Sequence, residues 1–189
     1  LWDGWTKAYG ETTAHRMGEA HLAAAPLDLT VKDPASSEKW AKDLEAELLP
    51  TGSLRHTASG MIQDLPGFAE GAWWVQDAAA AMPARILLQA TATSTDSRVA
   101  DLCSAPGGKT LQLAAAGRQV TSMDSSETRL TRVQENLDRM SLKAEIVHAD
   151  MMRWTPPQLF NAVLLDAPCS ATGDRKSTRL NSSHLVISY

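Results

Sequence analysis

Asp101, Cys103 and Lys109 fall within one short stretch of the chain, Val99-Ala100-Asp101-Leu102-Cys103-Ser104-Ala105-Pro106-Gly107-Gly108-Lys109-Thr110. An apolar run leads into a Pro-Gly-Gly turn and then into residues that suit a helix start. Glycine lacks a Cβ, so the backbone N–H groups at such a strand-to-helix turn can approach a polar or anionic ligand closely. Two familiar loops compete for the pattern. Gly108-Lys109-Thr110 matches the end of a phosphate-binding P-loop, but the first glycine of that motif would fall at Cys103. A dinucleotide fingerprint needs spaced glycines, whereas Gly107 and Gly108 are adjacent, with Cys103 and Ser104 where the first should stand. A strand ending in an acid, a turn of small residues and a helix start remain. They suit a ligand with an amino-acid end and an adenosine end, and S-adenosylmethionine has both.

The elements around this turn repeat one theme. Gln119-Val120-Thr121-Ser122-Met123-Asp124 reads as a second strand closed by an acid, placing Asp124 where a carboxylate can accept from ribose hydroxyls. Leu130, Val133, Leu137 and Met140 then recur at helical spacing, with Ser125 or Ser126 as N-cap. Arg129 and Arg132 fall on the exposed face of that helix by spacing alone. Ala144 to Asp150 and Ala162 to Asp166 supply two further strands. Asp101, Asp124, Asp150 and Asp166 should therefore lie along one edge of a parallel sheet, where such folds bind ligands. The expected class is α/β: a Rossmann-like parallel sheet, preceded by a small α+β segment.

Asp101 to Thr110, taken with Asp166-Ala167-Pro168-Cys169-Ser170-Ala171-Thr172-Gly173, resembles the cofactor loop and the Asp-Ala-Pro-Cys-Ser loop of the Sun/RsmB family of RNA cytosine-5 methyltransferases. Trp74-Val75-Gln76-Asp77-Ala78-Ala79 is similar to that family's lead-in to its catalytic domain. Gly4 to Lys32 resembles the segment joining its N-terminal RNA-binding region to the core. The resemblance covers roughly residues 1–173 and implies a Rossmann-like S-adenosylmethionine-dependent methyltransferase sheet, incomplete here because its last strands are missing. It implies that Cys103, Ser104, Ala105, Pro106, Gly107, Gly108 and Lys109 wrap the methionine part of S-adenosylmethionine. By the same resemblance Asp124 binds the ribose, Asp150 lies by the adenine and Asp166 stands at the junction of cofactor and target base. Arg129 is grouped with these cofactor-binding residues.

The implied reaction explains the need for a thiol. Carbon 5 of cytosine is a weak nucleophile, so a thiolate adds at carbon 6, the methyl group transfers to carbon 5, and loss of the carbon 5 proton lets the thiol leave. In the family the attacking cysteine comes from a later Thr-Cys-Ser type motif, and the cysteine of the Pro-Cys pair assists product release. Cys169 takes that assisting role here. Cys103 and Cys169 are the only cysteines, so the main nucleophile is expected to be absent from this chain. Residues 174–189 resemble a translated linker and are expected to be non-native, and with Leu1 in place of a methionine both ends are expected to be cut.

Composition sets the frame. The chain has 189 residues and a formal net charge of -4, so an RNA-binding surface must be a local patch. Two distant cysteines offer neither a disulfide framework nor a zinc site, which points to a reducing, cytoplasmic setting, no metal and, with no long apolar run, no membrane span. RNA, in particular ribosomal RNA, is the expected partner of a monomer. Three regions are expected: 1–70 as part of an N-terminal RNA-binding or linker region, 71–173 as the first part of the catalytic domain, and 174–189 as the tail. Leu1 to about Leu29 reads as helix with Pro26 as its terminator, Leu27 to Lys32 alternates like a strand, and Ser36 or Ser37 caps a helix through Leu49. A helix from Asp77 to Gln89 opens the catalytic part.

Bland readings stand beside the sharp ones. Asp124 and Asp150 can cap the segments after them, Cys169 can be a small buried hydrophobe, Lys109 can be solvated, and the tryptophans can be core anchors. Asp166 is harder to explain as packing, because a carboxylate ending a buried strand needs a partner. Two other functions compete: an NTP-binding protein with a degenerate P-loop, and a non-catalytic RNA-binding module.

Overall fold

A computed structural model of the chain describes residues 2–22, 26–57, 60–92 and 97–167. The N-terminal helical stretch is two helices, α1 (Trp2–Tyr9) and α2 (Glu11–Leu22), because Gly10 takes a left-handed φ of 79° between them. Strand β1 (Leu27–Val31) follows, then a 3-10 turn at Pro34–Ser36 and helix α3 (Ser37–Asp43). The helix expected to run through Leu49 stops at Asp43. Glu45 adopts a φ of 49°, and Ala46 N–H turns back to the Ala41 carbonyl, which ends the helix and frees β2 (Glu47–Leu48) for the sheet. With β3 (Leu54–His56) and β4 (Trp73–Val75), an antiparallel sheet forms in the order β2-β3-β1-β4. Its core is Leu29, Val31, Leu44, Leu54 and Trp73, with Trp40 and Phe68 packed against them.

A parallel sheet follows. Helix α4 (Ala78–Ala90) begins where the Asp77 side chain accepts from Ala79 N–H at 2.7 Å. After it come β5 (Arg98–Leu102), α5 (Gly108–Ala115), β6 (Gln119–Asp124), α6 (Glu127–Arg139), β7 (Glu145–His148) and β8 (Ala162–Leu165). All pairings are parallel, in the order β7-β6-β5-β8. This α/β sheet and the α+β unit before it are the expected architecture. Ser126, not Ser125, caps α6, and Leu130, Val133 and Leu137 are its buried stripe, packed with Trp74 and Leu111. Ala84 and Leu87 of α4 pack with Val99, Val120 and Leu164 of the sheet. Strand β4 belongs by its backbone pairing to the first sheet, so the two sheets meet after Val75, a few residues beyond the expected boundary near residue 70.

The two units grip each other at the C-terminal end of α6. Lys32 Nζ donates to the Met140 carbonyl, and the Arg139 guanidinium donates to the carbonyls of Phe68 (2.9 Å) and Trp73 (3.2 Å) while lying 4.2 Å over the Phe68 ring. Cations at this position also complement the negative end of the helix dipole. Gly71 lets the chains come this close: its φ is 63°, and a Cβ there would overlap the Arg139 carbonyl oxygen. Gly71→Ala therefore combines an unfavourable backbone conformation with a steric overlap. It should lower the unfolding free energy by roughly 1–3 kcal/mol, read as a reduced urea midpoint.

Candidate functional site

Strand β5 delivers Asp101 to the C-terminal edge of the parallel sheet, and the chain then turns sharply. Cys103 has a left-handed φ of 60° and Gly107, the N-cap of α5, a φ of 104°. The left-handed φ of Gly107 favours glycine there, and both glycines of the turn are closely packed. A Cβ on Gly107 would lie 3.2 Å from Val133 Cγ1, and one on Gly108 would lie 3.3 Å from the Gln76 amide. Within the turn, Ser104 N–H donates to the Met123 carbonyl and Gly107 N–H to the Ser104 carbonyl. The loop is thus tied to β6 and folded on itself.

Two buried networks stabilise the floor of this turn. Lys109 Nζ lies 2.6 Å from Asp166 Oδ2, joining the first turn of α5 to the end of β8, with both side chains at most one-tenth exposed. Asp166 has found the partner its burial demanded, and Lys109 is neither solvated nor free. In the second network the Thr110 hydroxyl donates to Asp101 Oδ2 at 2.6 Å, and the hydroxyls of Thr110, Ser122 and Ser104 continue the chain at 3.1 and 2.7 Å. The other oxygens, Oδ1 of Asp101 and Oδ1 of Asp166, are buried and have no hydrogen-bond partner. Such atoms carry a desolvation cost that a ligand donor can relieve. Both residues line a cavity of about 60 Å³ together with Gln76, Cys103, Ser104 and Lys109.

Burial raises the Asp101 carboxyl pKa to about 7, against the opposing pull of the Thr110 hydrogen bond and the Lys109 charge. Burial also pushes the Cys103 thiol up, and the negative charge of Asp124 adds to this. Cys103 is thereby kept from becoming a ready thiolate.

Asp124 stands at the end of β6, beside the cavity. Its Oδ1 lies 2.7 Å from Arg129 Nη2 and accepts from Ser126 N–H at 2.9 Å, while Oδ2 faces Ala105 N–H at 3.4 Å. It therefore serves as a local cap and at the same time ties α6 to the turn. Arg129, half exposed, is Asp124's ionic partner and not merely a solvated helix residue. Asp150 stands apart. It accepts from Met152 N–H, is more than half exposed, and is not among the residues lining the cavity, although Ala149 N–H next to it donates to the Asp124 carbonyl. Cys169 lies outside the described residues.

Gln76, Thr110 and Ser122 join the site without having been singled out. Gln76 was visible only as part of the Trp74-Val75-Gln76-Asp77 segment. Ser122 faces the buried acid Asp101 across neighbouring strands, which requires the β5–β6 register to be known, and Thr110 reaches it from the first turn of α5, which requires the packing of that helix on the sheet. A larger cleft, of about 630 Å³ and lined by Thr30, Trp74, Arg85 and Gln112 among others, contains none of Asp101, Cys103, Asp124 or Asp166. Among the described residues, no group of three or more His, Cys, Asp or Glu could hold a metal ion, and no helix is long and apolar enough to cross a membrane.

Comparison with known proteins agrees with this geometry. The family model described as 16S rRNA methyltransferase RsmB/F matches residues 87–182. Ribosomal RNA small subunit methyltransferase B of Klebsiella pneumoniae is 43% identical over 126 residues, covering 64% of this chain and 28% of that protein. Its namesake from Pseudomonas syringae is 42% identical over 150 residues, covering 70% and 33%. The chain thus spans about a third or less of the length of these relatives. Among solved structures, NSun6 from Pyrococcus horikoshii aligns with a TM-score of 0.74 at 16% identity, over 98% of this chain and 74% of that one. A methyltransferase homologue from the same organism aligns at 0.67 and 24% identity, over 89% and 58%. At these identities the structural likeness establishes the fold.

The raised pKa of Asp101 has a consequence for folding. An aspartate titrating near 7 when folded and near 3.8 when unfolded holds a proton longer in the native state. Its contribution to stability is complete below pH 3.8, declines as pH rises between the two values, and is lost above about 7. Asp28, held below its usual range by Arg55, works in the opposite sense at lower pH, so a mutant comparison is needed to isolate the effect. Urea unfolding of Asp101→Asn and of the native chain should show the native chain losing stability relative to the mutant from pH 4 to pH 8.

Proposed function

The chain belongs to the RsmB/F family of 16S rRNA methyltransferases, and on that premise we propose that it forms the methyl-donor half of an enzyme that methylates carbon 5 of cytosine in ribosomal RNA. The observation that carries the reading is the pair of unpartnered buried carboxylate oxygens, Asp101 Oδ1 and Asp166 Oδ1, in one cavity with Lys109 beneath the glycine turn. A buried ion pair and a second buried acid, each with an oxygen left to accept, make a site that favours a ligand bearing N–H donors. S-adenosylmethionine fits that demand, with an amino group, a sulfonium and an adenosine, and when bound it supplies an electrophilic methyl group.

The protein's own residues have separable tasks in this reading. Cys103 to Lys109 present the turn against which the amino-acid end of the donor lies, and Gly108 lines the cavity without a Cβ. Asp124, fixed by Arg129 and by Ser126 N–H, offers its second oxygen toward ribose hydroxyls. Asp150, on the loop after β7, borders the adenine. Asp166, oriented by Lys109, keeps Oδ1 to accept from the exocyclic amine of a cytosine extruded from single-stranded or flipped RNA. The attacking thiolate is not Cys103, whose thiol is disfavoured as an anion by burial and by Asp124, Asp101 and Asp166. Cys169 takes the role of assisting product release, and the nucleophile is supplied from outside this chain's two cysteines. The protein acts on ribosomal RNA as a cytoplasmic monomer, a partner choice supported by the names of its relatives.

S-adenosylmethionine and S-adenosylhomocysteine should each raise the melting temperature of the purified chain, and ATP should not. Lys109→Met should lower the melting temperature of the ligand-free chain, since it leaves Asp166 as a buried unpaired carboxylate. Incubated with methyl-labelled donor and unmodified 16S rRNA, the chain should bind donor yet transfer no label. A melting response to ATP alone would overturn the donor assignment, and labelled RNA would overturn the assignment of the nucleophile to a residue elsewhere.

A further inference from the structure

Gln76 is where the first sheet ends and the parallel-sheet unit begins, and its side chain is 4% exposed. Its backbone is set by the N-terminal sheet. Gln76 N–H donates to the Asp28 carbonyl at 3.0 Å, and two residues on Ala78 N–H donates to Asp28 Oδ2 at 3.1 Å. Asp28 is itself held by a two-pronged contact from Arg55, with both distances 2.8 Å. The Gln76 amide is then fixed on both ends. Oε1 accepts from Trp74 Nε1 at 2.9 Å, and Nε2 donates to Gln112 Oε1 at 2.7 Å and to the Ala80 carbonyl at 3.5 Å. Gln112 in turn donates to the Ala81 carbonyl at 3.1 Å.

The immobilised amide lies directly against the glycine turn. A Cβ on Gly108 would be 3.3 Å from Gln76 Cδ and Nε2, so the amide plane is the surface on which the start of α5 rests. The next residue, Lys109, makes the ion pair with Asp166, and Gln76 lines the same cavity as both. We propose that Gln76 is a positioning residue for the Gly107-Gly108-Lys109 turn, through which the N-terminal sheet sets the affinity of the donor site. This rests on the donor reading above for its ligand, but not for the geometry of the turn. The chain of cause runs from the Arg55–Asp28 contact to the Gln76 backbone, from the Gln76 amide to Gly108, and from there to Lys109 and Asp166. A shorter side chain leaves Trp74 Nε1 and Gln112 Oε1 buried without partners and opens space beneath Gly108. The turn then relaxes into that space.

Amide hydrogen exchange of the ligand-free chain and calorimetric binding of S-adenosylhomocysteine test this together, on the native chain, Gln76→Ala, Gln76→Glu and Leu54→Ala. Leu54 belongs to the core of the first sheet and touches neither the turn nor the cavity, so its truncation lowers stability alone. Gln76→Ala should accelerate exchange across residues 103–111 and weaken binding about tenfold, the equivalent of one lost buried hydrogen bond. Gln76→Glu keeps the volume and the acceptor for Trp74 but loses the N–H donor to Gln112 Oε1, and should likewise accelerate exchange across residues 103–111 and weaken binding. Leu54→Ala should lower the melting temperature while leaving both readouts at native values. Unchanged exchange at 103–111 in Gln76→Ala, or a shift no larger than that of Leu54→Ala, overturns the proposal. If Gln76→Ala does not fold, Gln76→Glu decides it by the same two readouts. Failure of the native chain to bind S-adenosylhomocysteine overturns the donor reading, and exchange then decides the positioning role by itself.

Discussion

The buried contact between Lys109 and Asp166 is the constraint on which the site depends. A lysine in the first turn of a helix opposes the helix dipole, and a carboxylate at the end of a buried strand is costly without a partner. At 2.6 Å each relieves the other, and the pair ties α5 to β8, elements far apart in the chain. Removing one member of such a pair leaves an uncompensated buried charge, at a cost of roughly 3–5 kcal/mol. The pair also determines what remains available. With Asp166 Oδ2 occupied by Lys109, Oδ1 is the atom left over, and it shares a cavity with the equally unpartnered Oδ1 of Asp101.

Around that pair the molecule is built inward from two sides. From the parallel sheet, the β5–β6 register sets Ser122 beside Asp101 while α5 brings Thr110 and the turn brings Ser104, so that a line of hydroxyls supports Asp101, and Asp124 anchors the start of α6 to the turn through Arg129 and Ala105. From the N-terminal sheet, Lys32, Arg139 and the backbone at Gly71 clamp the far end of the same helix. Helix α6 is therefore held at both ends by different units, and Val133, midway along it, touches the space that Gly107 leaves open. The first unit is thus part of the scaffold of the site, even though none of its first seventy residues lines the cavity.

Much of the catalytic unit was legible in the chain because its signals are local. Short apolar runs closed by aspartates predict strands, and β5, β6, β7 and β8 lie where those runs are. The stripe Leu130, Val133, Leu137 needs only helical periodicity, and the glycine turn announces itself by composition. The N-terminal half was harder. Trp40, Leu44 and Leu48 keep helical spacing, yet Glu45 reverses the chain and Leu48 joins a strand, because β3 offers backbone partners that the periodicity of one segment cannot reveal. Trp73 and Trp74 show the same dependence on context. They are buried anchors donating to the Pro66 carbonyl and to Gln76.

Residue type and spacing by themselves determined the sheet class, the edge on which the acids gather, and a turn able to receive a ligand with amino-acid and adenosine ends, since each follows from neighbours in the chain. The tertiary structure alone decided who pairs with whom: Lys109 with Asp166, Asp101 with Thr110, Asp124 with Arg129, and Gln76 with Trp74 and Gln112. Side chains at Asp124 and Asp150 look alike in sequence, yet one is buried at the turn and the other faces solvent. Burial and partner choice depend on which surfaces meet when sheets and helices close together, and no local pattern encodes that closure.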